Sequence, residues 1–380
     1  MCIRDRKEGK LIYSYDGETV CIEAWGKDAL RVRATKNRSF TGRDWALEAK
    51  DAHAGEVEIF EDPSAKGGAF ANMYEGTDTS YGKITNGKLH AVIDSGSVIT
   101  FYHEDGRVLL KEHFRRLRDE ESMPLNIMGR EYSNGVGDNF RIVARFVARK
   151  GEKIFGMGQY QQHELDLKGC MLELAQRNSQ VSVPFYLSSI GYGFLWNNPG
   201  VGQVMFANNG TEWVTESGKE IDYLVIAGDT PAEIEENYMT LTGKPPMMPE
   251  YGMGFWQCKL RYWNQEQLLS VARKYKELGI PLDVIIVDFF HWTKQGEFKF
   301  DPKYWPNVPG MCRELKEMGI QVVVSVWPTV DIYSENFEEM KEKGYLVRTE
   351  HGVPLTMLCG GNEVFFDATN PDCLLYTSDA

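Results

Sequence analysis

The stretch "KPPMMPE", residues 244–250, separates two hydrophobic patterns of different period. Three prolines in seven residues make a stiff connector. Before it, from about Gly9 to Ala227, short alternating runs recur: "LIYSYDG", "EVEIFED", "KLHAVIDSGSVITFYHEDGRVLL" and "YGFLWNN". Turn pairs such as Asp16-Gly17, Asn86-Gly87 and Asp105-Gly106 punctuate them. Regular short strands with this punctuation predict a β-sandwich. One helix, "PAEIEENYMTLTG", closes the region, with Asp229-Thr230-Pro231 as cap and first-turn proline.

After Tyr251 the pattern becomes strand–helix alternation. A short strand in "GMGFWQC" leads to the helix "NQEQLLSVARKYKELG". Asn264 and Gln267 resemble a capping box there, and Leu268, Val271, Ala272, Tyr275 and Leu278 share one helical face. Next come the strand "DVIIVDFF", the helix "GMCRELKEMG", the strand "QVVVSVWP", the helix "NFEEMKEKG" and a last strand-like run "NEVFFDATNPD". Continuous apolar strands alternating with helices predict a parallel sheet covered by helices. The units are too few to close a barrel, so the pattern fits a small open α/β sheet or the first part of a (β/α)8 barrel.

Composition narrows the function. The 380 residues carry a net charge of −13 and no Lys/Arg-rich block, which argues against a nucleic-acid partner. No run approaches a membrane span, and the N-terminus has no apolar signal segment. The seven cysteines are scattered without a CxxC pair and read as free thiols in a reducing, cytoplasmic compartment. No metal-ligand spacing occurs and no cofactor motif stands out; the "GMG" repeats at 156–158 and 252–254 read as turns or close packing. Nine Trp, 18 Tyr and 19 Phe exceed ordinary core needs, and the surplus suits a sugar cleft, because pyranose faces stack on rings.

Ligands of parallel α/β sheets bind at the carboxyl ends of the strands. That rule selects Asp288, Phe290, His291 and Trp292 after one strand, Trp327 after the next, and Trp256 and Tyr262 at and after the first. Asp331 and Asp367 end later runs. A carboxylate between Val287 and Phe289 is costly unless hydrogen-bonded, so Asp288 is the sharpest candidate, for sugar hydroxyls or for a structural cap or lysine pair. His291 reads more readily as a satisfied structural histidine than as a base.

These segments resemble glycoside hydrolase family 31, the α-glucosidase and α-xylosidase group. The resemblance rests on "FGMGQ", "VPFYLSSIGYGFLWNNPG", "YLVIAGDTPAEIEENYMTLTGKPPMMPEYGMGFWQ", "LGIPLDVIIVDFFHW", "FKFDPKYWPNVPGMCRELKEMGIQVVVSVWPTVD" and "FFDATNPD", in this order. It implies a galactose-mutarotase-like N-terminal sandwich followed by the first part of a TIM barrel. The expected limits are 7–243 for the sandwich, 244–250 for the connector and 251–372 for the partial barrel. Residues 1–6 and 373–380 read as a non-native leader and tail. The resemblance also implies a retaining α-glycosidase with a covalent glycosyl-aspartate intermediate. Its nucleophile and acid/base match no position here, so no catalytic residue is assigned. Asp288 corresponds to a hydroxyl-binding aspartate of the −1 subsite, and Phe290 to an aromatic lining it. A tryptophan and an aromatic of comparable α-xylosidases fall near Cys359 and near Arg261 or Tyr262. The implied partner is a small-molecule or oligosaccharide substrate, and a homo-oligomer is compatible with the intact enzyme. The alternatives are a non-catalytic carbohydrate-binding protein and an unrelated small α/β domain that needs no barrel closure.

Overall fold

A computed structural model describes residues 3–61, 80–94, 96–113, 115–117, 125–349, 351–357 and 361–374. The chain divides into two compact units between Pro245 and Pro246, inside the proline-rich connector.

Among the described residues of the first unit, the regular elements are strands except for the helix Pro231–Thr242 and a short 3-10 turn. Its strands pair antiparallel in a nine-stranded sheet, two five-stranded sheets and one short two-stranded ribbon. Alternation explains the layering. In Leu89–Ile93, Leu89, Ala91 and Ile93 are fully buried while His90 and Val92 are less so. The buried faces meet in one core that includes Leu11, Ile22, Val32, Ile84, Phe101, Phe146, Phe194, Trp196, Trp213 and Tyr223. Much of the aromatic surplus is spent here rather than in a cleft: Trp196 and Trp213 stack at 5.5 Å, and Phe194 stacks on both Trp213 and Tyr223.

Two buried arginines in this unit are paired with carboxylates. Arg31 forks onto Asp222 at 3.0 and 2.7 Å and reaches Asp44 at 2.8 Å. Arg130 forks onto Glu18 at 2.9 and 3.0 Å and donates to Glu112. Such pairs are tolerated because every fork meets an acceptor. The glycines of "GMG" at 156–158 serve close packing: a Cβ on Gly158 would stand 2.3 Å from the Val181 carbonyl oxygen, at a register shift in the strand pair. Ile3–Lys7, where the sequence shows no pattern, forms a strand against Lys10–Tyr15.

In the second unit three parallel strands stand side by side: Trp256–Gln257, Val284–Val287 and Gln321–Val324. The strands are shorter than the apolar runs, because only the central residues pair on the sheet. The helices Gln265–Glu277 and Val308–Glu317 pack over them through Leu268, Leu269, Ala272, Met311 and Leu315. Leu278, expected on the buried face, caps the helix C-terminus and is 57% exposed. Asn264 accepts from the Gln267 amide at 2.9 Å, while Gln267 Oε1 reaches back to the Trp263 amide at 2.7 Å. The box therefore closes one residue earlier than its usual form.

The run "NEVFFDATNPD" does not join the parallel sheet. Glu363–Phe365 pairs antiparallel with Thr329–Asp331, over a small core of Val330, Phe337, Met340, Leu346, Val364 and Phe366. Among the described residues no helix is long and apolar enough to cross a membrane. Cys21, Cys170, Cys258, Cys312 and Cys373 are free thiols.

Candidate functional site

The central strand Val284–Val287 is hydrogen-bonded on both sides, so the chain leaves the sheet at one defined place. Asp288 is the first residue beyond it and is half-buried. Its Oδ1 accepts from the Phe289 amide at 2.8 Å. Its Oδ2 faces the Cys258 thiol at 3.8 Å. Among the described residues no lysine or arginine pairs with it. A carboxylate carries about four acceptor positions, so about half of Asp288's capacity is unused. Burial first, and then the Asp288 charge, push the Cys258 thiol up, which keeps it a protonated donor toward that carboxylate.

Two rings follow this carboxylate in the chain. Phe289 stacks on Trp327 at 5.6 Å, and its centroid lies 4.1 Å from that of Phe290. Phe290 has a φ of 66°, an unfavourable region for a bulky side chain, and is 56% exposed. The strain is of order 1–3 kcal/mol and concentrates where a fold must aim a side chain. Here it turns an apolar ring outward. The Arg261 guanidinium lies 3.5 Å over the Trp263 ring and 5.0 Å over that of Phe290. Lys259, Leu260, Arg261, Trp263, Phe289 and Phe290 enclose a hollow of ≈ 310 Å³.

The residues selected from the sequence separate into two groups. Phe290 lines the hollow, and Asp288 precedes its Phe289 wall. Trp327 backs the wall through Phe289, and Trp292 stands 6.5 Å from Phe290. His291 is buried and braces the loop: Nδ1 donates to the Asp288 carbonyl at 3.1 Å, and the ring packs against Trp292 and Phe300. Burial holds it below the ordinary histidine value, so it is neutral and committed to structure. Trp256 donates Nε1 to the Gly252 carbonyl at 3.2 Å and is not part of the hollow.

Tyr262 was expected to contact sugar but is 4% exposed, inside the core beneath the helix Gln265–Glu277. Its neighbours face the other way, and Trp263, 59% exposed, supplies the ring that Tyr262 was chosen for. Sequence reasoning also passed over Cys258 and Leu260 as site residues; Phe289 stood at the selected strand end but was not chosen as a sugar contact. Asp331 and Asp367 do not stand at parallel strand ends. Asp331 accepts from the Tyr333 amide at 2.8 Å, and Asp367 from the Thr369 hydroxyl at 2.6 Å, each closing a local turn. Cys359 lies outside the described residues.

Comparison with known proteins accounts for this architecture. Residues 19–204 match the glycosyl hydrolase 31 N-terminal galactose mutarotase-like domain, and residues 245–378 match the glycosyl hydrolases family 31 TIM-barrel domain. The chain is 42% identical over 378 residues to an uncharacterized family 31 glucosidase, ORF2, of Pseudescherichia vulneris, covering 97% of this chain and 68% of that protein. It is 36% identical over 219 residues to an alpha-xylosidase of Saccharolobus solfataricus, covering 55% of this chain and 30% of that protein. A crystal structure of a GH31 alpha-xylosidase from a soil metagenome, complexed with xylose, superposes with a TM-score of 0.87 at 45% identity. That match covers 99% of this chain and 55% of the xylosidase. An unrelated small α/β domain is thereby excluded: the chain belongs to glycoside hydrolase family 31, with the family's mutarotase-like sandwich followed by part of its TIM barrel.

Proposed function

We propose that this chain carries the sandwich and first barrel units of a retaining α-glycosidase that releases terminal α-linked xylose or glucose. One observation carries the reading. A half-buried carboxylate, Asp288, follows the central parallel strand with about half of its acceptor capacity unused, adjacent in the chain to an outward-facing aromatic wall. Sugar hydroxyls are the donors such a carboxylate lacks, and a pyranose face is what such a wall accepts. The alpha-xylosidases among the similar proteins support xylose as the first sugar to test.

In this reading Asp288 holds hydroxyls of the sugar being cleaved. Phe290 packs against the sugar's apolar face, and the Cys258 thiol steadies Oδ2 of Asp288. Retention requires a nucleophilic carboxylate and an acid/base about 5–5.5 Å apart. Neither role is assigned to a residue of this chain. The 380-residue chain by itself is therefore expected to release no nitrophenol from p-nitrophenyl α-D-xyloside above a blank. The full-length enzyme is expected to hydrolyse that substrate and to give the α-anomer first, as followed by proton NMR. Absence of turnover on both the xyloside and the α-glucoside, or initial release of the β-anomer, would overturn the proposal. The free cysteines support a reducing, cytoplasmic location.

A further inference from the structure

The thiol beside Asp288 has two acceptors within reach. Cys258 Sγ lies 3.8 Å from Asp288 Oδ2 and 3.5 Å from the Lys259 carbonyl oxygen. A thiol carries one proton, so it serves one of the two at a time. Burial and the Asp288 charge keep that proton on the sulfur. The course of the chain at Cys258 therefore decides how well the donor reaches Asp288.

That course is held from the covering helix. Gln257 ends the first parallel strand, and its Nε2 donates to the Cys258 carbonyl at 3.0 Å. Its Oε1 accepts from the Tyr275 hydroxyl at 2.8 Å. With the hydroxyl on Oε1, the amide has its N–H side left for the carbonyl. Tyr275 belongs to the helix Gln265–Glu277, and its ring stacks on Phe255 at 5.9 Å. Phe255 is tied in turn, its amide donating to Asp283 Oδ2 at 2.9 Å. A run of contacts thus leads from Tyr275 through Gln257 and Cys258 to Asp288, and every one of them is made within residues 255–288. The helix already covers the sheet through Leu268, Leu269 and Ala272. A phenylalanine would fill the place of Tyr275 as well, so the hydroxyl matters for the amide it holds.

We propose that Tyr275 and Gln257 are positioning residues for Asp288, acting through the Cys258 thiol. The inference rests on the reading of Asp288 as the carboxylate that holds sugar hydroxyls, and adds how that carboxylate is aimed.

Tyr275→Phe removes the hydroxyl and keeps the stacked ring, so its circular dichroism should match that of the parent. In the full-length enzyme it is expected to lower kcat/KM on p-nitrophenyl α-D-xyloside by about three- to tenfold, the scale of one hydrogen bond. Gln257→Met, of similar length but without either hydrogen-bonding group, should do the same. Cys258→Ala should also cost a factor of this size, and Tyr275→Phe should then add nothing, because one run of contacts is broken only once. Multiplied losses in that double variant, or losses below about twofold in both folded single variants, overturn the proposal. A second readout needs no sugar. In the 380-residue chain, alkylation of Cys258 by iodoacetamide at about pH 8, followed by peptide mass spectrometry, should speed up about threefold in Asp288→Asn, where the charge that holds the proton on sulfur is gone. Tyr275→Phe should shift the rate in the same direction and add nothing in the Asp288→Asn background. An unchanged rate in Tyr275→Phe overturns the proposal. If the rates shift as stated while Asp288→Ala keeps its kcat/KM, the link to the thiol is supported and the sugar reading falls. If Asp288→Ala loses about 100-fold and Tyr275→Phe loses nothing, the sugar reading stands and the positioning role falls.

Discussion

At the scale of single residues, the site is an exchange of stability for exposure. Phe290 is strained, and its ring is mostly in solvent, so the fold gains little from it. Phe290→Gly is expected to leave the melting temperature unchanged or higher, since glycine accepts the positive φ without steric cost. The same change should lower kcat/KM of the full-length enzyme by about tenfold, the scale of a lost stacking contact in a binding cleft. A fall in melting temperature with intact kinetics would mean that the ring serves the fold. His291 makes the opposite trade. Burial depresses its pKa from the ordinary 6.5, against the opposing pull of the Asp288 carbonyl and carboxylate. The unfolded chain then binds the proton more readily, so the stabilisation is present above pH 6.5 and is lost as pH falls below it. Melts between about pH 7.5 and about pH 5.5 should show this decline, and His291→Asn should flatten it. An unchanged slope in the variant would assign the decline to other groups.

Elements were legible where the information is local. Thr230 accepts from the Glu233 amide at 3.2 Å ahead of Pro231, and Asn264 from that of Gln267, as the sequence predicts for both helix starts. Asn264→Ala is expected to cost about 1 kcal/mol, measured by urea denaturation. It should also loosen Trp263, whose amide is held by Gln267 Oε1, so tryptophan fluorescence should change with it. Ile285, fully buried in the central strand, should cost roughly 2–5 kcal/mol as Ile285→Ala. Facing was not legible where periodicity lapses. "RYWN" belongs to neither strand nor helix, so nothing in the sequence says which of Tyr262 and Trp263 turns inward. The direction of Glu363–Phe365 was hidden for another reason. An apolar run looks alike in parallel and antiparallel pairing, and only its partner Thr329–Asp331 decides.

At the scale of the molecule, the chain couples a sandwich that consumes aromatic and charged residues internally with a parallel sheet that displays them at one end. Composition alone could not separate these uses, because stacked core rings such as Trp196 and Trp213 count the same as Trp263 and Phe290. What did survive from sequence to structure is the position of Asp288, because strand period and chain exit fix it together. Its role can be measured directly. In the full-length enzyme, Asp288→Ala should lower kcat/KM on p-nitrophenyl α-D-xyloside by at least about 100-fold, the scale of charged hydrogen bonds lost in a transition state. Its circular dichroism should match that of the parent. A loss of less than about threefold in a folded variant would remove Asp288 from the site and contradict the account.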